Sequence, residues 1–393
     1  MKDIQTRLVG RASRPEDAAF ALGVPIYQAV TFRQADPDRP GEYDYSRSGN
    51  PTRRALEELM AELEGATAAF AFASGMAAIS TCLLLFSAGD HLLVTRDCNG
   101  GTQRVLEHVF ARLGIRADYV DTHDAAALEE ARRPQTRGVL IENFSNPHLF
   151  VTDVAAVSEW AHRHGLLVLV DNTILSPVLS RPLEQGADVV LHSATKLLAG
   201  HNDVTAGVAA VGQGELARRL GFLQNAVGAV AAPHDSWLVL RGLKTLGVRL
   251  ERAQTTAANL AAWLAGQDGV ERVFYPGLPG HPGHERLSRV AAGAGQILSL
   301  ELAPGLVRPF LASLRLFALG AGFGGVESIV SRPALSCHAC LTAAQRSERS
   351  IGPGLIRVSV GLEGEADLRD DLERALTLAR RENSAEAANQ EVG

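Results

Sequence analysis

Four short apolar runs recur through the first half of the chain: His91-Leu-Leu-Val-Thr95, Gly138-Val-Leu-Ile-Glu142, Leu166-Leu-Val-Leu-Val170 and Val189-Val-Leu-His192. A strand with one wet face alternates polar and apolar residues, and these runs do not alternate. Both of their faces must therefore be covered. Amphipathic helix patterns lie between them, so the expected fold is α/β: a mainly parallel sheet flanked by helices.

At 393 residues and 46% hydrophobic, the chain has ample apolar material for a second, smaller unit beside that sheet. Residues 1–55 carry Pro15, Pro25, Pro37, Pro40 and Pro51 and read as an arm lying on another surface. Residues 56–250 hold the strand and helix alternation. A long helical pattern over Ser236 to Leu264, with Arg241, Lys244 and Arg249 on its polar side, leads into a C-terminal α/β domain over 251–381. That domain contains the strands Gln296-Ile-Leu-Ser-Leu-Glu301 and Leu355-Ile-Arg-Val-Ser-Val360. The polar, alanine-rich tail, 382–393, is expected to be disordered.

Composition excludes several classes. A net charge of −6 without basic blocks argues against nucleic acid or an anionic membrane as partner. No apolar run approaches the roughly 20 residues of a membrane span, and residues 1–5 lack a signal peptide's apolar stretch. Four cysteines are too few for a disulfide scaffold, which points to the cytoplasm. Cys337-His-Ala-Cys340 has no second cysteine pair, so no metal site is expected. Gly320-Ala-Gly-Phe-Gly-Gly325 fits GxGxxG, but Pro333 follows too soon for the helix of a dinucleotide site.

In open parallel sheets, ligands sit beyond the carboxyl ends of the strands. The residues found there are Ser74, Gly75 and Met76; Glu142, Asn143, Ser145 and Asn146; Asp171 and Asn172; and His192, Ser193, Thr195 and Lys196. A lone lysine after a strand is usually a solvated charge, and a lone aspartate a helix cap. Taken together they suit one ligand. The helix start at Gly75-Met76 offers free amides to a phosphate, and Ser193 and Thr195 add hydroxyls. Lys196 can form an imine with an aldehyde, and a buried Asp171 can keep a pyridine nitrogen protonated. Phosphate, aldehyde and pyridinium describe pyridoxal 5'-phosphate (PLP).

Five segments occur in order: Tyr45-Ser-Arg-Ser-Gly-Asn-Pro-Thr52, Ala73-Ser-Gly-Met76, Asp171-Asn-Thr, His192-Ser-Ala-Thr-Lys196 and Ile356-Arg-Val-Ser-Val-Gly-Leu-Glu363. Together they resemble the Cys/Met-metabolism PLP enzymes, such as cystathionine γ-synthase, cystathionine γ- and β-lyases and methionine γ-lyase, over about residues 4 to 378. The resemblance implies a fold-type I transferase in which Lys196 is the Schiff-base lysine and proton carrier. It further implies that Asp171 pairs with the pyridine nitrogen, and that Gly75, Met76, Ser193 and Thr195 hold the phosphate. Tyr45 and Arg47 would reach the phosphate of a neighbouring subunit, making the chain a homo-oligomer, a dimer or dimer of dimers. Arg357 would clamp the substrate α-carboxylate, with Asn146 nearby.

Departures fall on the substrate side. Asn99-Gly-Gly-Thr102 stands where the family reads Tyr-Gly-Gly-Thr, so Asn99 replaces a residue that stacks on the cofactor. Gly322-Phe-Gly-Gly325 replaces Ser-Leu-Gly-Gly, after Ala321, and Leu197 replaces a tyrosine. The expected activity is γ-replacement or γ-elimination on a homoserine-ester, cystathionine- or methionine-like amino acid, with a specialised biosynthetic pathway as one explanation of the departures. β-Elimination is the alternative within the class. A PLP-binding protein with little turnover is the alternative outside it.

Overall fold

All five residues of β2 (His91–Thr95) and of β7 (Gly207–Val211) are buried, as strands covered on both faces require. The computed structural model describes residues 3–10, 21–339 and 341–392. Pro15, Cys340 and Gly393 lie outside the described residues. The main sheet adds β1 (Ala68–Phe72), β3 (Arg116–Val120), β4 (Thr136–Glu142), β5 (Leu167–Asp171) and β6 (Val189–Ser193) in the order β1-β7-β6-β5-β4-β2-β3. Strands β3, β2, β4, β5 and β6 run parallel. β7 pairs antiparallel with both β6 and β1.

The period of two along each strand divides the core between the faces. Leu93, Ile141, Val170 and Val190 join one cluster, which Leu56 and Leu59 of helix Pro51–Glu64 help to cover. Leu92, Leu140, Leu169 and Leu191 join the other, under Ala78 of helix Gly75–Leu83 and Leu220 of helix Gly214–Val227. Helix Pro51–Glu64 begins where its sequence dictates: Asn50 caps it, accepting from Thr52 N (2.9 Å), and Pro51 occupies the first turn.

The second sheet is ordered β10 (Ala318–Leu319), β11 (Ile329–Ser331), β12 (Leu355–Ser359), β9 (Ile297–Leu302) and β8 (Val270–Phe274). Its core includes Leu298, Leu300 and Val358, packed with Leu368 and Leu372 of helix Glu365–Val392. The glycine-rich stretch 320–325 leads from β10 toward β11 and no helix follows it. Among the described residues, no helix is long and apolar enough to cross a membrane.

Three local expectations are corrected. The tail expected to be disordered continues as helix to Val392. Its Glu- and Ala-rich composition has high helix propensity, and an anchored helix upstream removes the cost of nucleation. The single helix expected over Ser236 to Leu264 is two, Pro233–Leu243 and Leu246–Leu264, broken at Lys244 and Thr245. The break redirects the chain: Leu246 and Leu250 pack in the larger core, whereas Leu260 and Leu264 pack in the smaller.

The third correction is Arg249, placed by periodicity on the polar face but 6% exposed. Its Nη2 donates to Leu197 O and Gly242 O, both at 3.0 Å, clamping the turn that carries Lys196. Burial lowers its pKa to about 10, still well above neutrality, so the clamp stays charged. Arg249→Ala orphans these carbonyls and should lower stability by about 3 kcal/mol, read from the urea midpoint. Arg249→Lys should recover only part, because an ammonium lacks the guanidinium's planar fork.

Candidate active site

The carboxyl ends of β4, β5 and β6, the start of helix Gly75–Leu83 and the loop before β11 enclose a cavity of about 290 Å³. Its wall includes Gly75, Met76, Asn99, Asn146, Asp171, Ser193, Thr195 and Lys196, so eight of the eleven sequence-derived residues meet there. Tyr45, Arg47 and Arg357 do not line it.

The helix start is prepared for an anion. Ser74 caps it, accepting from Ala77 N (3.0 Å) and leaving the Gly75 and Met76 amides without intrahelical acceptors. Gly75 lets Ser193 approach: a Cβ there would come within 2.8 Å of the serine Cβ. Thr195 is more occupied, its hydroxyl both donating to Ala206 O (3.2 Å) and accepting from Ala206 N (3.0 Å).

Asp171, at the end of β5, accepts on one oxygen from Thr173 N (3.0 Å) and from the Thr173 hydroxyl. Thr173 Oγ1 in turn accepts from Ser193 N (2.8 Å), tying β5 to β6. The carboxylate lines the cavity. Desolvation raises its pKa against those hydrogen bonds and the nearby His192. Glu142 stands opposite Asp171 in the β4–β5 register. Burial and then repulsion by Asp171 push its pKa well up, opposed by the hydrogen bond from Asn99 N (2.6 Å).

Lys196 occupies the turn after β6, which is anchored by buried Leu197 and Leu198. Burial lowers its pKa, and the Arg357 guanidinium lowers it further, against the opposing influence of Cys337. This favours the free amine that imine chemistry and proton abstraction both need. Arg357 on β12 is 3% exposed and donates to Asn146 Oδ1 (3.0 Å) and Gly322 O (2.8 Å). Asn146 Nδ2 is buried without a partner.

Asn99 faces the cavity in a role the sequence did not disclose. Its Oδ1 accepts from Gly101 N (2.9 Å), capping helix Gly100–His108. Glu142, Thr173, Thr205 and Phe323 line the cavity without having been assigned roles. Glu142 and Thr173 could have been found from their positions at and just beyond strand ends; Thr205 and Phe323 carry no such signal. Tyr45 and Arg47 lie on the exposed arm, where Arg47 Nη1 donates to Asn225 O (3.0 Å).

A helix N-terminus, a nucleophilic amine, a carboxylate at the cavity wall and an unpartnered buried amide form a donor set that fits PLP. The model of the Cys/Met metabolism PLP-dependent enzyme family matches residues 5–377. The chain belongs to this family. It is 48% identical over 374 residues to the cystathionine beta-lyase MetC of Bacillus subtilis, covering 95% of this chain and 96% of that protein. The cystathionine gamma-lyase of the same organism is 44% identical over 362 residues, covering 92% and 96% respectively. A cystathionine gamma synthase from Xanthomonas oryzae pv. oryzae, solved with aminoacrylate and cysteine, superposes with a TM-score of 0.95 at 39% identity, over 97% of this chain and 99% of that one. The protein is thus a fold-type I, PLP-dependent enzyme of the trans-sulfuration class, with an amino acid as its small-molecule substrate.

The raised pKa of Glu142 has a consequence for stability. An acid bound to its proton more tightly in the folded state costs stability as pH rises from the unfolded value, about 4.3, toward the folded one. Glu142→Gln keeps an acceptor for Asn99 N and removes this titration. The variant should lose less stability than the wild type across that rise, measured as urea midpoints at successive pH values.

Proposed function

We propose that the enzyme cleaves the carbon–sulfur bond of a cystathionine-like amino acid by elimination, with Lys196 as the sole proton carrier at the substrate. The observation behind this is the cavity wall: among the described residues of one protomer, Lys196 is its only amine, and no tyrosine, histidine or cysteine lines it. Bound PLP supplies an electron-withdrawing ring that acidifies the substrate Cα. Gly75, Met76 and Ser193 hold its phosphate, Asp171 holds the proton on its ring nitrogen, and Arg357 and Asn146 receive the α-carboxylate. Lys196 Nζ takes the Cα proton, and the largely apolar wall, including Ile79, Phe144, Ile174 and Phe323, limits water.

β-Elimination requires Lys196 to act once before the Cβ–S bond breaks, which is why a single base favours it. It is also the reaction named for the B. subtilis relative at 48% identity. γ-Elimination or γ-replacement is the second reading, supported by the likeness to the γ-lyase and γ-synthase. There Lys196 acts twice, at Cα and then at Cβ. A PLP-binding protein with little turnover is set aside, since these relatives are enzymes.

We further propose a cytoplasmic homo-oligomer in which the arm of one protomer completes the site of another. The arm exposes Leu22, Ile26, Tyr27, Val30 and Tyr45, apolar surface suited to burial on a second copy.

L-Cystathionine separates the readings. With water consumed, β-elimination releases pyruvate, ammonia and homocysteine, whereas γ-elimination releases 2-oxobutyrate, ammonia and cysteine. Lys196→Ala should reduce either yield about a thousandfold. Absence of any 2-oxoacid from cystathionine, homoserine esters and methionine alike would refute the elimination reading. For the arm, mixing Arg47→Ala and Lys196→Ala proteins should restore roughly a quarter of the wild-type sites by random pairing in a two-fold dimer. No recovery after verified subunit exchange would rule out a shared site.

A further inference from the structure

We propose that Phe323 governs access of the substrate carboxylate to Arg357 and so sets how strongly the enzyme selects amino acids over simple amines. This rests on the reading of Arg357 as the carboxylate-binding arginine.

Phe323 lines the cavity and Arg357 does not. The ring centroid lies 5.0 Å from Arg357 Cζ and 5.2 Å from Lys196 Nζ, so one aromatic ring lies against both the guanidinium and the amine. The guanidinium is also engaged by Asn146 Oδ1 and Gly322 O. A carboxylate arriving from the cavity meets the ring first. Bidentate contact with Arg357 requires the ring to turn aside and a protein acceptor to give way. Asn146 Nδ2, buried and unpartnered on a residue of the cavity wall, is a donor for the carboxylate once it arrives.

The glycine-rich stretch makes room for that turn. Gly322 has φ +104°, a conformation that side chains rarely adopt, and a Cβ there would stand 3.6 Å from Lys196 Nζ. Without it, space beside the lysine is open to the ring. The following residue is fixed, Gly324 N donating to Ser359 Oγ on β12 (2.8 Å). The side chain therefore moves while the loop stays. In the closed position the ring covers the Arg357 guanidinium with its negative face. A ligand with a carboxylate offers Arg357 a stronger partner than the ring, whereas an amine without one offers nothing in exchange.

The test uses the holoenzyme and two probes with nothing to eliminate: L-alanine and its decarboxylated counterpart, ethylamine. Their binding is followed by the change in cofactor absorption, and the ratio of the two dissociation constants measures carboxylate selectivity. Phe323→Leu should raise selectivity for alanine on the order of tenfold, the size of one cation–π contact to a desolvated cation. Ethylamine affinity should not change. Phe323→Met, which keeps bulk without a π face, should act in the same direction, and Arg357→Lys should lower selectivity. If Arg357→Lys lowers the ratio while both Phe323 variants leave it unchanged, Phe323 is no gate and the carboxylate role of Arg357 stands. If Arg357→Lys leaves the ratio unchanged, the reading of Arg357 fails and this proposal with it.

Discussion

Beneath the cavity, the Glu64 carboxylate at the end of helix Pro51–Glu64 meets His192 Nε2 of β6 and Asn172 Nδ2, the latter at 3.3 Å. Asn172 Oδ1 accepts in turn from Asn143 Nδ2 at 2.6 Å, and its own Nδ2 also donates to Ser180 O. Every side chain in this network is enclosed by protein. Three of them are also chain neighbours of cavity residues: Asn143 follows Glu142, Asn172 follows Asp171, and His192 precedes Ser193. Fixing the hidden partner fixes the working one. Losing one member would strand a polar or charged group away from water, at a cost of about 3–5 kcal/mol for a buried pair. The ends of β4, β5 and β6 are thereby held level, and the groups that face the cavity converge.

That convergence sets the charges. Glu142 and Asp171 share a desolvated space in which two adjacent carboxylates cannot both ionise freely. The hydrogen bonds decide between them. Asp171 accepts two from Thr173, which favour its charged form, whereas Glu142 accepts one from Asn99 N and is repelled by both Asp171 and Asp97. Burial opposes ionisation of both, and more strongly at Glu142, whose pKa is pushed well up. On the opposite side, burial and Arg357 together keep Lys196 disposed to lose its proton. The acid and base roles follow from placement more than from residue type.

The strands and the cavity-facing groups were legible because both follow local rules. A run apolar at every position is covered on both faces, and ligand groups sit just beyond strand ends; Asp171, Ser193 and Lys196 obey both. What escaped depends on tertiary context. Arg249 looks like any solvent-facing helical cation until the Leu197 and Gly242 carbonyls are seen around it. β7 reads like another strand, yet it runs antiparallel between β6 and β1, a property of connection that no periodicity encodes. The tail's polarity resembled disorder, although the same residues propagate an existing helix well.

The departures from the family pattern also acquire a physical order. Asn99, standing where the family has tyrosine, cannot stack, but it caps the helix that follows and its backbone amide holds Glu142. On the other wall Phe323 faces Lys196 and Arg357 together. The two walls come from different parts of the fold. The first is built from strand ends of the large sheet, held level by the Glu64 network. The second is a loop of the smaller sheet, between β10 and β11, tied to the site mainly by Gly324 and Gly322. Substitution on that loop changes one wall of the cavity without disturbing the strand ends that form the other. The chain thus keeps Asp171, Ser193 and Lys196 on the strand-end wall while its unusual residues Ala321 to Phe323 gather on the loop of the smaller sheet.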